Sequence, residues 1–140
     1  MGSDHAGFAL KEHVKAQLEA AGHDVVDVGT DTDESTDYPR FARPAAQLVA
    51  EGDAERGVLV CGSGVGVSIV ANKVPGVRAV NAHDPDEATL ARAHNDVNVV
   101  TLSGRRIDAE QADAIVRAFL DGEFEGGRHA RRVDLIEDGG

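Results

Sequence analysis

The residues best suited to chemistry are one thiol and the small residues behind it. Cys61 ends the apolar run Val58, Leu59, Val60, and Gly62, Ser63, Gly64, Val65 and Gly66 follow it. Glycines let a ligand approach the backbone, and a helix N-terminus beyond them would offer outward amides whose partial positive charge favours an anion or a thiolate. The combination suits a base that removes a proton beside a carbonyl while backbone amides hold the negative oxygen that forms. Read alone, Cys61 also fits a small buried hydrophobe at a tight turn.

Three better-known loops are excluded by spacing. A nucleotide P-loop needs Lys and Ser/Thr after its last glycine, but Val67 and Ser68 follow Gly66. A dinucleotide fingerprint needs two residues between its second and third glycines, and only Val65 separates Gly64 from Gly66. A cysteine phosphatase loop would close with an arginine, which is absent between Cys61 and Lys73. What is left is a thiol and a phosphate-sized cradle without nucleotide machinery.

The elements that must place this loop alternate along the chain. Phe8, Leu10, Val14 and Leu18 recur at helical spacing over Phe8 to Ala21, and Gly22 supplies a stop. Asp24 to Val28 reads as a short strand, Gly29 to Pro39 as an acidic loop, and Phe41 to Ala50 as a helix. After the strand at Val58 and the helix ending near Lys73, further strands are expected at Val77 to Ala82 and Asn98 to Leu102. Helices are expected from Pro85 to Ala93, from an Asp108 N-cap to Leu120, and over the basic stretch after Gly127. This order predicts one α/β domain over residues 1–140, a Rossmann-like three-layer sandwich around a mostly parallel sheet. Ligands then bind beyond the carboxyl ends of the strands, where Cys61, His83 and Asp4 are expected.

Fourteen Lys and Arg against 25 Asp and Glu give a net charge of −11, which disfavours nucleic acid or an anionic membrane as partner. An anionic ligand therefore needs a local basic pocket, and arginine supplies all but three of the cations. Arg128 and Arg132, four apart, share one helical face and suit either a phosphate or solvent. Arg106 and Arg131 are read as solvent-facing, and Tyr38 as packing or site-lining. A lone cysteine and no apolar leader point to the cytoplasm. The histidines His13, His23 and His83 show no ligand spacing, so no metal is assigned.

Read together, GSDHAGF, DYP, CGSGVGVSIVANK, ARAHNDVN, SGRR and EGGRHARRV resemble the type B ribose-5-phosphate isomerase family, which includes galactose-6-phosphate isomerase subunits. The resemblance runs from Gly2 to about Ile136. It implies interconversion of ribose 5-phosphate and ribulose 5-phosphate through an enediol, without cofactor or metal. Cys61 matches the general base, Ser63 a group assisting proton movement, and Gly62, Gly64, Val65 and Gly66 the oxyanion loop. His94 matches the residue that opens the furanose ring, and Asn95 a sugar contact. Asp4, His5, Arg105, Arg128 and Arg132 match further substrate and phosphate contacts. The family's homodimer shares active sites between subunits, so some of these residues are expected from a partner. Isomerases of allose 6-phosphate or galactose 6-phosphate, and a non-catalytic sugar-phosphate-binding paralogue, stay open as alternatives. Family members carry an apolar strand before GSDHAGF, so the first strand reads as truncated and Asp4 and His5 as poorly supported.

Overall fold

A computed structural model describes residues 1–138. Four parallel strands make one sheet in the order β1-β2-β4-β3: β1 Gly2–Ser3, β2 Gly57–Cys61, β3 Ala79–Asn81 and β4 Val99–Ser103. β2 and β4 lie at the centre, in register from Gly57 opposite Val99 to Cys61 opposite Ser103, and both are buried throughout. That burial is why β2 is a continuous apolar run after Gly57, and why β4 is apolar apart from the small hydroxyls of Thr101 and Ser103.

Six helices cover the two faces: α1 Phe8–Ala20, α2 Pro39–Ala50, α3 Val65–Asn72, α4 Pro85–Asn95, α5 Ala109–Asp121 and α6 Arg128–Glu137. Successive strand side chains point to opposite faces, so each strand feeds two cores. Val58, Val60, Val100 and Leu102 pack with Leu10 and Val14 of α1, Ala88 and Ala91 of α4, and Ile115 and Phe119 of α5. On the other face Leu59, Cys61 and Val99 pack with Ala42, Ala46 and Val49 of α2 and Val67 and Val70 of α3. Cys61 thus faces the α2–α3 layer. The expected Rossmann-like three-layer α/β architecture is present, and all four strands are parallel.

Local signals set several boundaries. Asp108 caps α5 and forms a reciprocal capping box with Gln111. Asp84 accepts from the Glu87 amide with Pro85 in the first turn of α4. α4 runs two residues past the expected Ala93, because Asp96 takes a left-handed conformation (φ 46°) and closes the helix after Asn95. His94 and Asn95 are therefore in its last turn rather than after it. The expected strand at Asp24 to Val28 is not regular strand. Its backbone still bonds alongside β1, from the Val28 amide to the Met1 carbonyl and the Thr30 amide to the Ser3 carbonyl, without forming a regular strand of its own. With β2 on its other side, β1 is flanked on both edges.

That flanking corrects the expectation that Asp4 and His5 are poorly supported. Asp4 is buried and its Oδ1 accepts the Gly7 amide at 3.0 Å. His5 Nδ1 accepts the Thr36 amide at 3.1 Å.

Candidate active site

At the carboxyl ends of β1, β2 and β4 the chain opens into a cleft of about 1000 Å³. Its floor is the glycine loop. Gly64, in the left-handed region at φ 78°, turns the chain from β2 into α3, and its amide donates to Cys61 Sγ at 3.2 Å. Only glycine suits this turn: besides the positive φ, a Cβ here would stand 2.3 Å from Asn81 Oδ1. The thiol is 4 % exposed and lines the cleft.

The loop is held from below by hydroxyls on β4. Thr101 Oγ1 donates to the Gly64 carbonyl at 2.8 Å and Ser103 Oγ to the Gly62 carbonyl at 2.6 Å. These residues are two apart and so share the face on which Cys61 lies. With the loop carbonyls turned down onto β4, its amides are free to face a ligand. The Val65 amide is taken by Ser63 Oγ at 3.2 Å. Among the described residues no protein acceptor takes the amides of Gly66 and Val67, and no side chain caps α3.

The walls come from three other segments. The turn after β4 bonds to the loop through the Gly104 amide to the Cys61 carbonyl (2.8 Å) and the Arg105 amide to the Gly62 carbonyl (3.2 Å). This lays the Arg105 guanidinium on Gly62, where a Cβ would meet Nη1 at 3.0 Å. Asp4 and His5 follow β1. Because His5 Nδ1 accepts from Thr36, its neutral ring carries the proton on Nε2, which is left to donate. The third wall is the end of the acidic loop, with Tyr38 packed so closely that a Cβ on Gly66 would stand 2.5 Å from its ring.

That loop is anchored by a buried cation. Lys11, 1 % exposed, donates to Asp27 at 2.8 and 3.0 Å and to the Thr30 carbonyl at 2.7 Å. Burial works to raise the Asp27 pKa, but Lys11, the Gly29 amide and Lys15 outweigh it and hold the carboxyl below its ordinary value.

The cleft thus assembles Asp4, His5, Cys61, Gly62, Ser63 and Arg105, with Val65 and Gly66 alongside and Gly64 beneath. It does not contain His94, Asn95, Arg128 or Arg132. A crossover between parallel strands must return the chain to the amino end of the sheet. The last turn of α4, with His94 and Asn95, is therefore at the end of the sheet away from Cys61. There His94 stacks on His129 of α6 with centroids 4.4 Å apart and rings inclined by 12°, and His94 Nε2 lies 3.8 Å from Glu125 Oε2. Burial, then His94 and Arg128, push the His129 pKa below its ordinary value. Three donor atoms of His94, Glu125 and His129 fall within 4.8 Å of one another. However, near-parallel rings aim their in-plane lone pairs side by side rather than at one point, which does not suit a metal.

Arg106 is exposed to solvent, as expected, and also borders the cleft. His83 lies beyond the carboxyl end of β3, as expected, where it pairs with Glu87 outside the cleft. Sequence reasoning missed Thr36, Arg40, Ile69, Thr101 and Ser103. The last two carry a legible signal, hydroxyls at alternate positions of an otherwise apolar strand.

The Ribose/Galactose Isomerase family matches residues 1–136. The chain is 47% identical over 135 residues to ribose-5-phosphate isomerase B of Escherichia coli K12, covering 96% of this chain and 91% of that one. Among solved structures it resembles a ribose 5-phosphate isomerase of Thermotoga maritima, with TM-score 0.95 and 47% identity over 98% of this chain and 94% of the other. It also resembles ribose-5-phosphate isomerase B of Mycoplasma genitalium with bound ribulose-5-phosphate, with TM-score 0.93 and 42% identity over 98% and 91%. By its sequence, its parallel sheet and the glycine loop under its one thiol, the chain belongs to the ribose/galactose isomerase family.

Proposed function

We propose that the protein interconverts ribose 5-phosphate and ribulose 5-phosphate, with Cys61 as the base. The observation that carries this reading is the Cys61 sulfur at the wall of a cleft, over a loop that leaves the Gly66 and Val67 amides unclaimed among the described residues, and beside the Arg105 guanidinium. The thiolate takes the proton from C2 of the open-chain aldose, and the carbonyl electrons move onto O1. The amides of Gly66 and Val67 are placed to hold that oxyanion, and Ser63 to pass a proton between the oxygens. The thiol then returns its proton to C1, leaving the ketone at C2. No net oxidation occurs, so no redox cofactor is needed.

Before this step the furanose must open, which moves the O1 proton to the ring oxygen as the C1–O4 bond breaks. We assign this to His94, with Asn95 on sugar oxygens and Arg128 and Arg132 on the phosphate. Since all four lie away from the protomer's own cleft, they act in the cleft of a second copy, and the working unit is a homodimer. Exposed apolar residues support this: Val65 (50 %) and Ile69 (54 %) border the cleft on α3, and Leu135 and Ile136 lie open on α6. Among the described residues no helix is long and apolar enough to cross a membrane.

The test is turnover of ribose 5-phosphate in deuterated water by wild type and Cys61→Ala. Wild type is expected to isomerise and to incorporate solvent hydrogen at C1, and Cys61→Ala to be slower by roughly 10²-fold or more. Wild-type turnover by the variant removes Cys61 from the role of base. Binding of the sugar by wild type without hydrogen exchange favours the non-catalytic paralogue.

A further inference from the structure

The four residues assigned to ring opening and phosphate binding sit on two different elements, the last turn of α4 and helix α6. One side chain reaches both. Arg78, in the segment entering β3, donates from Nε to the carbonyls of Asn95 (3.0 Å) and Asp96 (3.1 Å) and from Nη2 to the Asp96 carbonyl (2.8 Å). Its Nη1 pairs with Glu137 in the last turn of α6, and Nη2 lies 3.5 Å from the Asp96 carboxylate. The last carbonyls of a helix have no partner within it. A planar fork can take two of them and a carboxylate at once, which a single ammonium cannot.

The site around this fork is rigidly specified. Asp96 is the only non-glycine residue at positive φ among the described residues, a conformation that costs energy unless its surroundings enforce it. Arg92 does so from the other side, donating to Asp96 Oδ1 at 2.8 Å and to the Val97 carbonyl at 2.7 Å. Between the two guanidiniums the turn that follows His94 and Asn95 is left one arrangement. Arg78 itself is fixed by its backbone amide, which donates to Asn98 Oδ1 at 2.9 Å.

Resting on the isomerase reading above, we propose that Arg78 is a positioning residue for ring opening: its fork on the Asn95 and Asp96 carbonyls, with its arm to Glu137, sets His94 and Asn95 against the substrate. Arg78 does not line the cleft that holds the thiol and takes no part in proton transfer at C2. The two half-reactions therefore respond differently to its loss. Ring opening precedes every turnover of the cyclic aldose. By contrast, a 2-ketopentose 5-phosphate has its 5-oxygen esterified, cannot close a furanose, and presents its C1 proton to Cys61 directly.

The experiment compares wild type, Arg78→Lys and Arg78→Gln in two assays, with thermal melting and dimer mass as controls. One follows isomerisation of ribose 5-phosphate, the other exchange of the C1 hydrogen of ribulose 5-phosphate with deuterated solvent. Arg78→Lys, which keeps the charge and loses the fork, is expected to slow aldose turnover roughly 10-fold or more while ketose exchange stays within about 2-fold of wild type. Parallel loss of both reactions, loss of neither, or failure of the lysine variant to fold overturns the positioning role. A wild-type chain that performs neither reaction overturns the isomerase reading, and with it this one. Wild-type activity in both assays with Arg78→Lys unchanged overturns this proposal alone.

Discussion

The two ends of the sheet hold their chemical groups by different means. At the carboxyl end the cleft is built from backbone: glycines let the Arg105 guanidinium and the Tyr38 ring lie against the chain, and β4 hydroxyls hold the loop carbonyls. At the α4–α6 end the groups are held by side chains. Arg78 and Arg92 grip one turn, and His94 stacks on His129. The difference follows from what each end must do. An oxyanion loop has to present several amides to one atom, which only backbone at close approach achieves. In the proposed dimer, groups that reach into the partner's cleft need length, which side chains supply.

Glycine substitutions separate the two ends most sharply. Gly64→Ala forces a Cβ against Asn81 and the Leu102 backbone at positive φ and is expected to cost about 3 kcal/mol, with loss of activity. Gly126, beside α6, also has positive φ (68°) but nothing near its missing Cβ, so Gly126→Ala is expected to cost about 1 kcal/mol. Urea unfolding of both variants checks this. Equal losses at the two positions break the contrast between a crowded and an open backbone.

A smaller effect tests the anchor of the acidic loop that walls the cleft. Asp27 has a lowered pKa in the fold, so its contribution is present above the unfolded carboxyl value of about 4 and is lost as pH falls through the lower folded value. Asp27→Asn is therefore expected to cost about 2 kcal/mol at neutral pH, by weakening the charged bonds to Lys11. The gap to wild type should close on acidification below about pH 4. Melting temperatures at pH 7 and pH 3 measure it, and a gap that is independent of pH contradicts the ion pair.

The sequence showed the cleft end more completely than the other. An apolar run ending in Cys61 and a glycine loop is a local pattern, and the alternation around it placed the helices and the central strands. Asp24 to Val28 misled because three valines in five residues satisfy the strand composition, whereas the segment meets β1 only through scattered backbone bonds such as those of the Val28 and Thr30 amides. Thr36 and Arg40 were invisible because they reach the cleft at the end of a loop, and in the first turn of α2 that follows it, and the path of that loop depends on Lys11, sixteen residues from Asp27. The separation of His94 from Cys61 is topological. It follows from where a crossover helix ends, and a motif match brings all the site residues together without regard to that. The grip of Arg78 on α4 and α6 joins residues 59 apart in the chain, which no local pattern reports.

The central claim is that the thiol of one protomer works with the histidine of another, and mixing variants tests it most directly. Cys61→Ala and His94→Ala, each folded and nearly inactive, are unfolded together, refolded at equal ratio and assayed with ribose 5-phosphate. Half of the dimers then carry one intact site of two, so about a quarter of wild-type activity is expected to return. Mixed dimers that form, as shown by mass, yet recover no activity contradict a shared site.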